Sequence, residues 1–226
     1  MKNENLQIWE NVFQNNEWGK YPPVSLIKFI AKNFYKVQNR KNIKILELGS
    51  GTGANLWFCA REGFSVYGID GSKTAVSRML GRFNDENLND QIIGISIGDY
   101  YDKLDDIEDE SFDAVIDIES LYCNSFDKSK KIIQKSFDKL KSGGMMFSLT
   151  FADGTYGLDG KNIDYHAVLP TEGPMANMGF GRYVTKHDIE KLYKLKDNKI
   201  INIEKQILCM NNNEVVKEWI IEIRKD

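Results

Sequence analysis

The chain has 226 residues, of which 42% are hydrophobic and 12% aromatic, so it can bury one substantial core but has no room for a second domain of ordinary size. Its 30 Lys and Arg side chains are outnumbered by 33 Asp and Glu, giving a formal net charge of −3 at pH 7, which disfavours a nucleic-acid partner. No apolar run approaches the roughly 20 residues that span a bilayer, and the N-terminus lacks the apolar region of a signal peptide. We therefore expect one cytoplasmic domain over residues 1–226, monomeric or homodimeric, with no membrane partner.

The three cysteines, Cys59, Cys123 and Cys209, are far apart in the chain. Their number and spacing match neither a disulfide framework nor a set of metal ligands. No cluster of His, Asp and Glu suggests a magnesium site. We expect buried free thiols in a reducing compartment and no metal.

The first 40 residues predict cap helices outside the main repeat. Leu6, Trp9 and Phe13 recur at helical spacing, which predicts an amphipathic helix over residues 4–15. Pro22 and Pro23 suit the start of a second helix. Its apolar face is marked by Leu26, Ile27, Ile30, Phe34 and Val37.

From residue 43 onward, strand-like and helix-like segments alternate. The expected strands cover residues 43–48, 65–70, 92–97, 113–118 and 145–151. The expected helices cover residues 53–62, 73–83 and 126–141, the last of them stopped by Gly143 and Gly144. This alternation predicts a parallel sheet with helices on both faces, which binds ligands beyond the carboxyl ends of its strands.

The last third departs from this alternation. Residues 152–184 show no clear periodicity and form a connection longer than usual, which predicts a functional insertion on the substrate side. Thr185 and Asp188 have the spacing of a capping box that opens a helix through Tyr193. Residues 199–210 and 214–224 are rich in β-formers and are joined by three Asn at 211–213, which predicts a hairpin and an antiparallel end to the sheet.

The most informative motif follows the first expected strand, where Glu47 precedes Gly49, Gly51 and Gly53. Glycines allow a sharp strand-to-helix turn and let a ligand approach the backbone. Asp70 ends the next strand, 17 residues after Gly53, about where α/β nucleotide folds present an acid to the ribose hydroxyls. The sequence therefore predicts a site for a nucleotide-type cofactor.

These features resemble the class I S-adenosylmethionine (SAM)-dependent methyltransferases over residues 20–224. The resemblance rests on the Glu47 and glycine motif, Asp70, residues 98–100 (Gly-Asp-Tyr), residues 112–117 (Phe-Asp-Ala-Val-Ile-Asp) and the closing hairpin. Dehydrogenases usually place the third glycine one residue later and need no acid two residues before the first. The resemblance implies a doubly wound Rossmann-like α/β sheet, mostly parallel, in the strand order 3-2-1-4-5-7-6.

The resemblance also implies SAM as the cofactor, with S-adenosylhomocysteine as its product. Gly49, Gly51 and Gly53 would hold the amino-acid end. Glu47 would interact through that turn with the ammonium group, and Tyr21 would close over the carboxylate.

The resemblance assigns the adenosine end in the same way. Asp70 would accept the ribose hydroxyls, with Gly71 and Ser72 beside the adenosine. Asp99 would accept from the adenine amino group, and Tyr100 would flank the ring.

The acceptor side is less defined by the sequence. Glu119 would lie near the sulfonium and the acceptor entrance, and His166 is the histidine placed to act as a general base, whereas His187 lies in a polar helix start. Further candidates for contact with the acceptor are Tyr122, Tyr156, Tyr165 and Arg182.

Residues 118–122 lack the Asn/Asp-Pro-Pro-aromatic element of nucleic-acid amine methylases, and no Pro-Cys dipeptide is present. We expect a small polar or aromatic acceptor.

Two other functions remain open from the sequence. One is a nicotinamide-dependent oxidoreductase, which thermal stabilisation by NAD without stabilisation by S-adenosylhomocysteine would reveal. The other is a non-catalytic SAM-binding regulatory protein, which would yield no S-adenosylhomocysteine with any acceptor.

Overall fold

The computed structural model describes residues 2–210 and 214–226. The α-helices of this part are α1 (Lys2–Asn15), α2 (Val24–Phe34), α3 (Ala54–Arg61), α4 (Lys73–Asp85), α5 (Tyr100–Lys103), α6 (Phe126–Asp138) and α7 (Lys186–Tyr193). Its strands are β1 (Lys44–Leu48), β2 (Ser65–Asp70), β3 (Ile92–Ile97), β4 (Phe112–Ile118), β5 (Leu140–Phe151), β6 (Ala167–Val168), β7 (Gly181–Arg182), β8 (Asn198–Cys209) and β9 (Val215–Lys225).

Seven strands form one sheet in the order β3-β2-β1-β4-β5-β9-β8. Strands β1 to β5 are mutually parallel, and β9 is antiparallel to both β5 and β8. The structure thereby confirms the predicted order and the antiparallel end. The predicted Asn connection at 211–213 lies outside the described residues. Strands β6 and β7 form a separate antiparallel pair.

Helices cover both faces of the sheet because β1 is apolar on both sides. Leu46 and Leu48 pack in the cluster that contains residues of α6 and α7, whereas Ile45 packs in the cluster that contains residues of α2, α3 and α4. A strand buried on both faces is typical of a parallel sheet between helical layers. The predicted doubly wound arrangement is confirmed.

The predicted end of α6 is wrong. The helix ends at Asp138, and Leu140 already begins β5, so Gly143 and Gly144 lie inside a strand. The pairing of β5 with β4 shifts register beside Phe112, and Gly143 has φ +76°. The glycines therefore allow an irregularity in the strand, a common position for glycine in sheets, and do not cap the helix.

The segment 152–184 folds against the sheet and includes β6 and β7. Its buried Leu158, Val168 and Met175 form a cluster with Tyr122 and Phe151. The predicted capping box is confirmed, since the Thr185 side chain accepts from the Asp188 N–H and the Asp188 side chain accepts from the Thr185 N–H. Among the described residues, none of the helices combines the length and apolarity that a membrane crossing requires.

Candidate active site

A cavity of about 1170 Å³ lies at the carboxyl ends of β1 to β4. Its walls come from the turn after β1, the ends of β2, β3 and β4, helix α1 and the 152–184 segment. Of the residues proposed from the sequence, it is lined by Tyr21, Gly49, Gly51, Asp70, Gly71, Asp99, Tyr100, Glu119 and Tyr122. The cavity occupies the position where open α/β sheets bind ligands.

The turn from β1 to α3 depends on its glycines. Gly49, Gly51 and Gly53 have φ values of +69°, +52° and +83°, in the left-handed region that favours glycine. A Cβ at Gly53 would overlap the Met79 side chain, and one at Gly49 would overlap Ser120. The backbone of this turn is therefore bare toward the cavity and closely packed behind it.

Asp70 joins this turn to the end of β2. Its Oδ2 accepts from the Gly51 N–H at 2.7 Å, and its Oδ1 accepts from the Ser72 N–H at 2.7 Å. Burial raises the pKa of Asp70, and the two backbone hydrogen bonds oppose that shift. Because an ionised carboxylate offers about four acceptor positions, Asp70 keeps capacity for two more donors.

Glu47 lies beneath the turn and is completely buried. Its Oε1 accepts from Asn55 Nδ2 at 2.6 Å, and Asn55 itself lines the cavity. Among the described residues, Glu47 Oε2 has no hydrogen-bond partner. Burial raises the pKa of Glu47 well above its ordinary value. An unpaired buried carboxyl oxygen is costly unless a donor reaches it.

The end of β3 holds a second acid. Asp99 Oδ2 pairs with Lys128 Nζ at 2.8 Å, and Asp99 Oδ1 accepts from the Tyr101 N–H at 2.9 Å. Tyr100 donates from its hydroxyl to the Ser120 carbonyl at 3.1 Å, so its ring is fixed at the cavity wall. Lys128 comes from α6 and had no signal in the sequence.

The end of β4 presents Glu119 to the cavity. Its backbone is in the left-handed region with φ +50°, and its N–H donates to the Leu149 carbonyl at 2.8 Å. Asp117 holds this turn by accepting from the Ser120 N–H at 3.1 Å and the Leu121 N–H at 2.9 Å. Burial raises the pKa of Glu119 well above its ordinary value, and a hydrogen bond with Glu218 raises it further.

Helix α1 covers the turns that follow β1 and β2; the sequence predicted a cap helix here but not these contacts. Leu6 lies against Gly71, and Phe13 lies against Gly51. Glu10 accepts from Ser72 Oγ at 2.5 Å and from Thr74 Oγ1 at 2.6 Å, and these hydrogen bonds lower the pKa of Glu10 to about 2. The helical spacing of Leu6, Glu10 and Phe13 could have indicated this contact, because it places all three on one face of α1.

Residues 45–144 match the model of a family described as a methyltransferase domain. This match identifies residues 45–144 as a methyltransferase domain. The site of this methyltransferase domain fits SAM. The bare glycine turn and the spare acceptor capacity of Asp70 are features that a nucleoside cofactor would use. Glu47 is completely buried and does not line the cavity, so its part in cofactor binding stays a prediction. No curated protein matches the chain.

Solved methyltransferase structures share the fold. The Burkholderia thailandensis 1,6-didemethyltoxoflavin-N1-methyltransferase, with bound 1,6-didemethyltoxoflavin and S-adenosylhomocysteine, superposes with a TM-score of 0.70 at 11% identity over 100% of this chain and 90% of its own. A SAM-dependent methyltransferase from Methanosarcina mazei gives 0.68 at 18% identity over 87% and 96%. A putative sarcosine dimethylglycine methyltransferase from Galdieria sulphuraria gives 0.65 at 15% identity over 99% and 98%. At these identities the likeness shows the fold.

Some residues proposed for this methyltransferase lie outside the cavity lining. Gly53 and Ser72 lie behind it, where Gly53 precedes α3 and Ser72 caps α4 by accepting from the Ala75 N–H at 3.0 Å. Tyr21 is 73% exposed beside Trp57 and reaches only the mouth. Tyr122 is buried in the wall, and its hydroxyl lies 3.4 Å from Met175 Sδ.

His166 is held by Asp188 and not by the cavity wall. Its Nδ1 lies 2.8 Å from Asp188 Oδ2, and its ring stacks between Tyr165 and Tyr183 with centroid distances of 4.0 and 4.8 Å. The Tyr165 hydroxyl donates to Asp188 Oδ1 at 2.8 Å. Burial favours a higher pKa for Asp188, but hydrogen bonds from Thr185, Tyr165 and His166 outweigh it and lower the pKa. These contacts fasten the 152–184 segment to α7.

Arg182 and Tyr156 also serve the packing of this segment. Arg182 is buried, and it donates from Nε to the Asn124 carbonyl and from Nη2 to Ser129 Oγ, both at 3.1 Å. Burial lowers its pKa. The Tyr156 hydroxyl donates to Glu172 Oε2 at 3.0 Å at the surface. Neither residue lines the cavity, so a role in binding the acceptor stays a prediction.

Proposed function

We propose that this methyltransferase transfers the methyl group of SAM to a small-molecule acceptor by in-line displacement. The observation that supports this best is the covering of the cavity by α1 and the 152–184 segment together. Asn5 of α1 donates from Nδ2 to the Cys123 carbonyl at 2.8 Å, and Gly179 packs against Ile8. A covered cavity suits a small acceptor better than a polymer.

The volume of the cavity is large enough for a cofactor and a second small ligand. Pockets for one drug-sized molecule measure roughly 300 to 1,000 Å³, and this cavity measures about 1170 Å³. In our proposal the glycine turn and Glu47 hold the amino-acid end of SAM, and Asp70, Asp99 and Tyr100 hold the adenosine end. The space between Glu119 and Tyr122 remains for the acceptor.

The bound cofactor would supply a methyl group already activated by a positively charged sulfur. The residues of this chain then have to align the acceptor and exclude water, and positioning of this kind is worth about 7–11 kcal/mol of the barrier. The buried side chains of Tyr122, Met175 and Leu149 form a largely apolar part of the cavity wall. This wall supports displacement without competing hydrolysis.

The solved neighbours add support for the acceptor class. The Burkholderia thailandensis enzyme holds the small heterocycle 1,6-didemethyltoxoflavin, and the Galdieria sulphuraria protein is named as a putative sarcosine dimethylglycine methyltransferase. The net charge of −3 gives no general attraction to nucleic acid. The free thiols of Cys59, Cys123 and Cys209 support the reducing cytoplasm as the location. We keep a monomer or homodimer as the expected state.

Calorimetry and turnover test the proposal in two steps. S-adenosylhomocysteine should bind the protein at one site, whereas NAD should not bind. A panel of small amines, phenols and heterocycles should then include a compound that yields S-adenosylhomocysteine from SAM. Cofactor binding without product over the whole panel would favour the regulatory alternative, and binding of NAD alone would overturn the proposal.

A further inference from the structure

Glu119 and Glu218 meet at the acceptor end of the cavity, although they come from distant parts of the chain. Glu119 follows β4, and Glu218 lies on β9 opposite Phe151 of β5. Both line the cavity, and the Glu218 carboxyl contributes to the raised pKa of Glu119. Gln206 of β8 lines it as well and donates to Glu218 Oε2 at 2.7 Å. Neighbouring acids oppose each other's ionisation, so such a pair favours keeping a proton.

Two features of the structure hold this pair in place. The left-handed backbone of Glu119, φ +50°, is fixed by its hydrogen bond to Leu149 and by the Asp117 contacts to the next residues. Glu218 is fixed by its position on β9, which pairs with β5 and β8, and by Gln206. The raised pKa of Glu119 agrees with a pair that retains one proton and one negative charge.

The described part of the cavity lining holds few cationic side chains that could neutralise this charge. Among the described residues of the cavity lining, the cationic side chains are Lys128 and Lys131, both on α6. Lys128 is already paired with Asp99 at 2.8 Å. The other charged group that acts on Glu119 is Asp117, which is also an acid. A carboxylate in this setting favours a cationic ligand and disfavours an anionic one.

Aromatic side chains complete the setting. Trp9 and Trp18 lie 5.8 Å apart by ring centroids and line the cavity together with Tyr122. Aromatic rings attract cations over their faces and pack against apolar bodies. The combination of aromatic walls with a carboxyl pair therefore matches an amine on an apolar or aromatic body.

We propose, on the basis of the function proposed above, that the methyl acceptor is an amine whose nitrogen binds the carboxyl pair of Glu119 and Glu218. The acceptor enters as an ammonium group and gives one proton to the carboxylate of the pair, which frees the nitrogen lone pair. The nitrogen–carbon bond then forms while the carbon–sulfur bond breaks, and its electron pair stays on sulfur. The product leaves as the N-methylated ammonium ion, and the proton on the pair passes to solvent.

Binding of three matched probes tests this proposal without turnover. Phenethylamine, 2-phenylethanol and 3-phenylpropanoate share an aromatic body and differ in charge. They are titrated by calorimetry into the protein saturated with S-adenosylhomocysteine. We expect phenethylamine to bind at least about tenfold more tightly than the alcohol and the carboxylate, the factor that corresponds to about 1.4 kcal/mol. Equal or tighter binding of either other probe, or no binding of phenethylamine, would overturn the proposal.

Variants of the two acids test whether they cause the preference for phenethylamine over the alcohol and the carboxylate. Glu119→Gln and Glu218→Gln should each reduce the preference for phenethylamine to about threefold or less and leave affinity for S-adenosylhomocysteine within about twofold. Glu190→Gln, at an exposed position on α7, should retain the full preference. An unchanged preference in both cavity variants would refute the assignment, and the wild-type comparison stands if a variant fails to fold. If S-adenosylhomocysteine itself fails to bind the wild type, the proposed function fails, whereas loss of the amine preference alone refutes only this inference.

Discussion

The backbone N–H of Gly51 donates to Oδ2 of Asp70 across 2.7 Å. This hydrogen bond joins the turn after β1 to the last residue of β2. The second oxygen of Asp70 accepts from the Ser72 N–H, so one buried carboxylate fixes both turns at the cofactor end of the cavity. The geometry of the proposed cofactor site therefore depends on Asp70 even before a ribose binds.

Asp70→Ala should weaken binding of S-adenosylhomocysteine by about 1–3 kcal/mol, the range for losing hydrogen bonds to a charged group. The variant loses both the proposed ribose contacts and the hydrogen bond that orients Gly51. Calorimetry measures the change, and Asp85→Asn, exposed at the end of α4, is the control. An unchanged dissociation constant would remove Asp70 from the site.

Gly53→Ala should lower the free energy of unfolding by at least about 2 kcal/mol. The position has φ +83°, and an added Cβ would overlap Met79 of α4, so left-handed strain and overpacking add together. Gly81→Ala is the matched control, because a Cβ there meets no atom within 4 Å and alanine in a helix gains roughly 0.5–1 kcal/mol over glycine. In urea unfolding, the free energy of unfolding should therefore fall for Gly53→Ala and rise for Gly81→Ala. A neutral Gly53→Ala would show that the turn tolerates a side chain.

The fold and the cofactor end were predictable because their signals are local. The apolar residues of β1 and β2, the glycines at 49, 51 and 53, and the acid at Asp70 all lie within 26 residues of one another. Short-range patterns such as these determine the strand, the turn and the helix start directly. The sheet order followed from the alternation and the resemblance, not from any single residue.

The acceptor end was less predictable because its residues meet through long-range register. Glu218 reaches Glu119 only because β9 pairs antiparallel with β5, with Glu218 opposite Phe151. A shift of one residue would turn Glu218 to the other face of the sheet. His166 was proposed from its chemistry and its loop, but its position depends on the path of the 152–184 segment toward Asp188. No local pattern in the sequence encodes that path.

Asp117→Asn should change how stability depends on pH. Burial raises the pKa of Asp117 from 3.8 to about 6, against the opposing hydrogen bonds from Ser148, Leu121 and Ser120. The folded-state pKa is raised, so the stability from protonated Asp117 is complete below about pH 3.8 and is lost as the pH rises through about 6. Asparagine keeps an acceptor and does not ionise. The stability of the variant relative to wild type should therefore increase by on the order of 3 kcal/mol across this window.

Urea unfolding of both proteins at about pH 4 and about pH 7.5 measures this difference, since groups common to both cancel. Asp85→Asn, at an exposed position at the end of α4, is measured alongside as the control. A constant difference between Asp117→Asn and wild type over the window would mean that Asp117 titrates at its ordinary pKa.

His166→Ala should lower turnover with little change in affinity for S-adenosylhomocysteine, and it should cost about 1–2 kcal/mol of stability. The ring contributes a hydrogen bond to Asp188 and two stacking contacts, which fasten the segment that covers the acceptor end.

His166→Asn separates positioning from base catalysis, because asparagine tolerates the φ of +51° and its amide can donate to Asp188. If His166 positions the segment, the Asn variant recovers stability and most of the turnover, and the Ala variant shows its loss mainly as a raised KM for the acceptor. A general base would instead lose kcat in both variants, and normal kinetics in both would exclude either role.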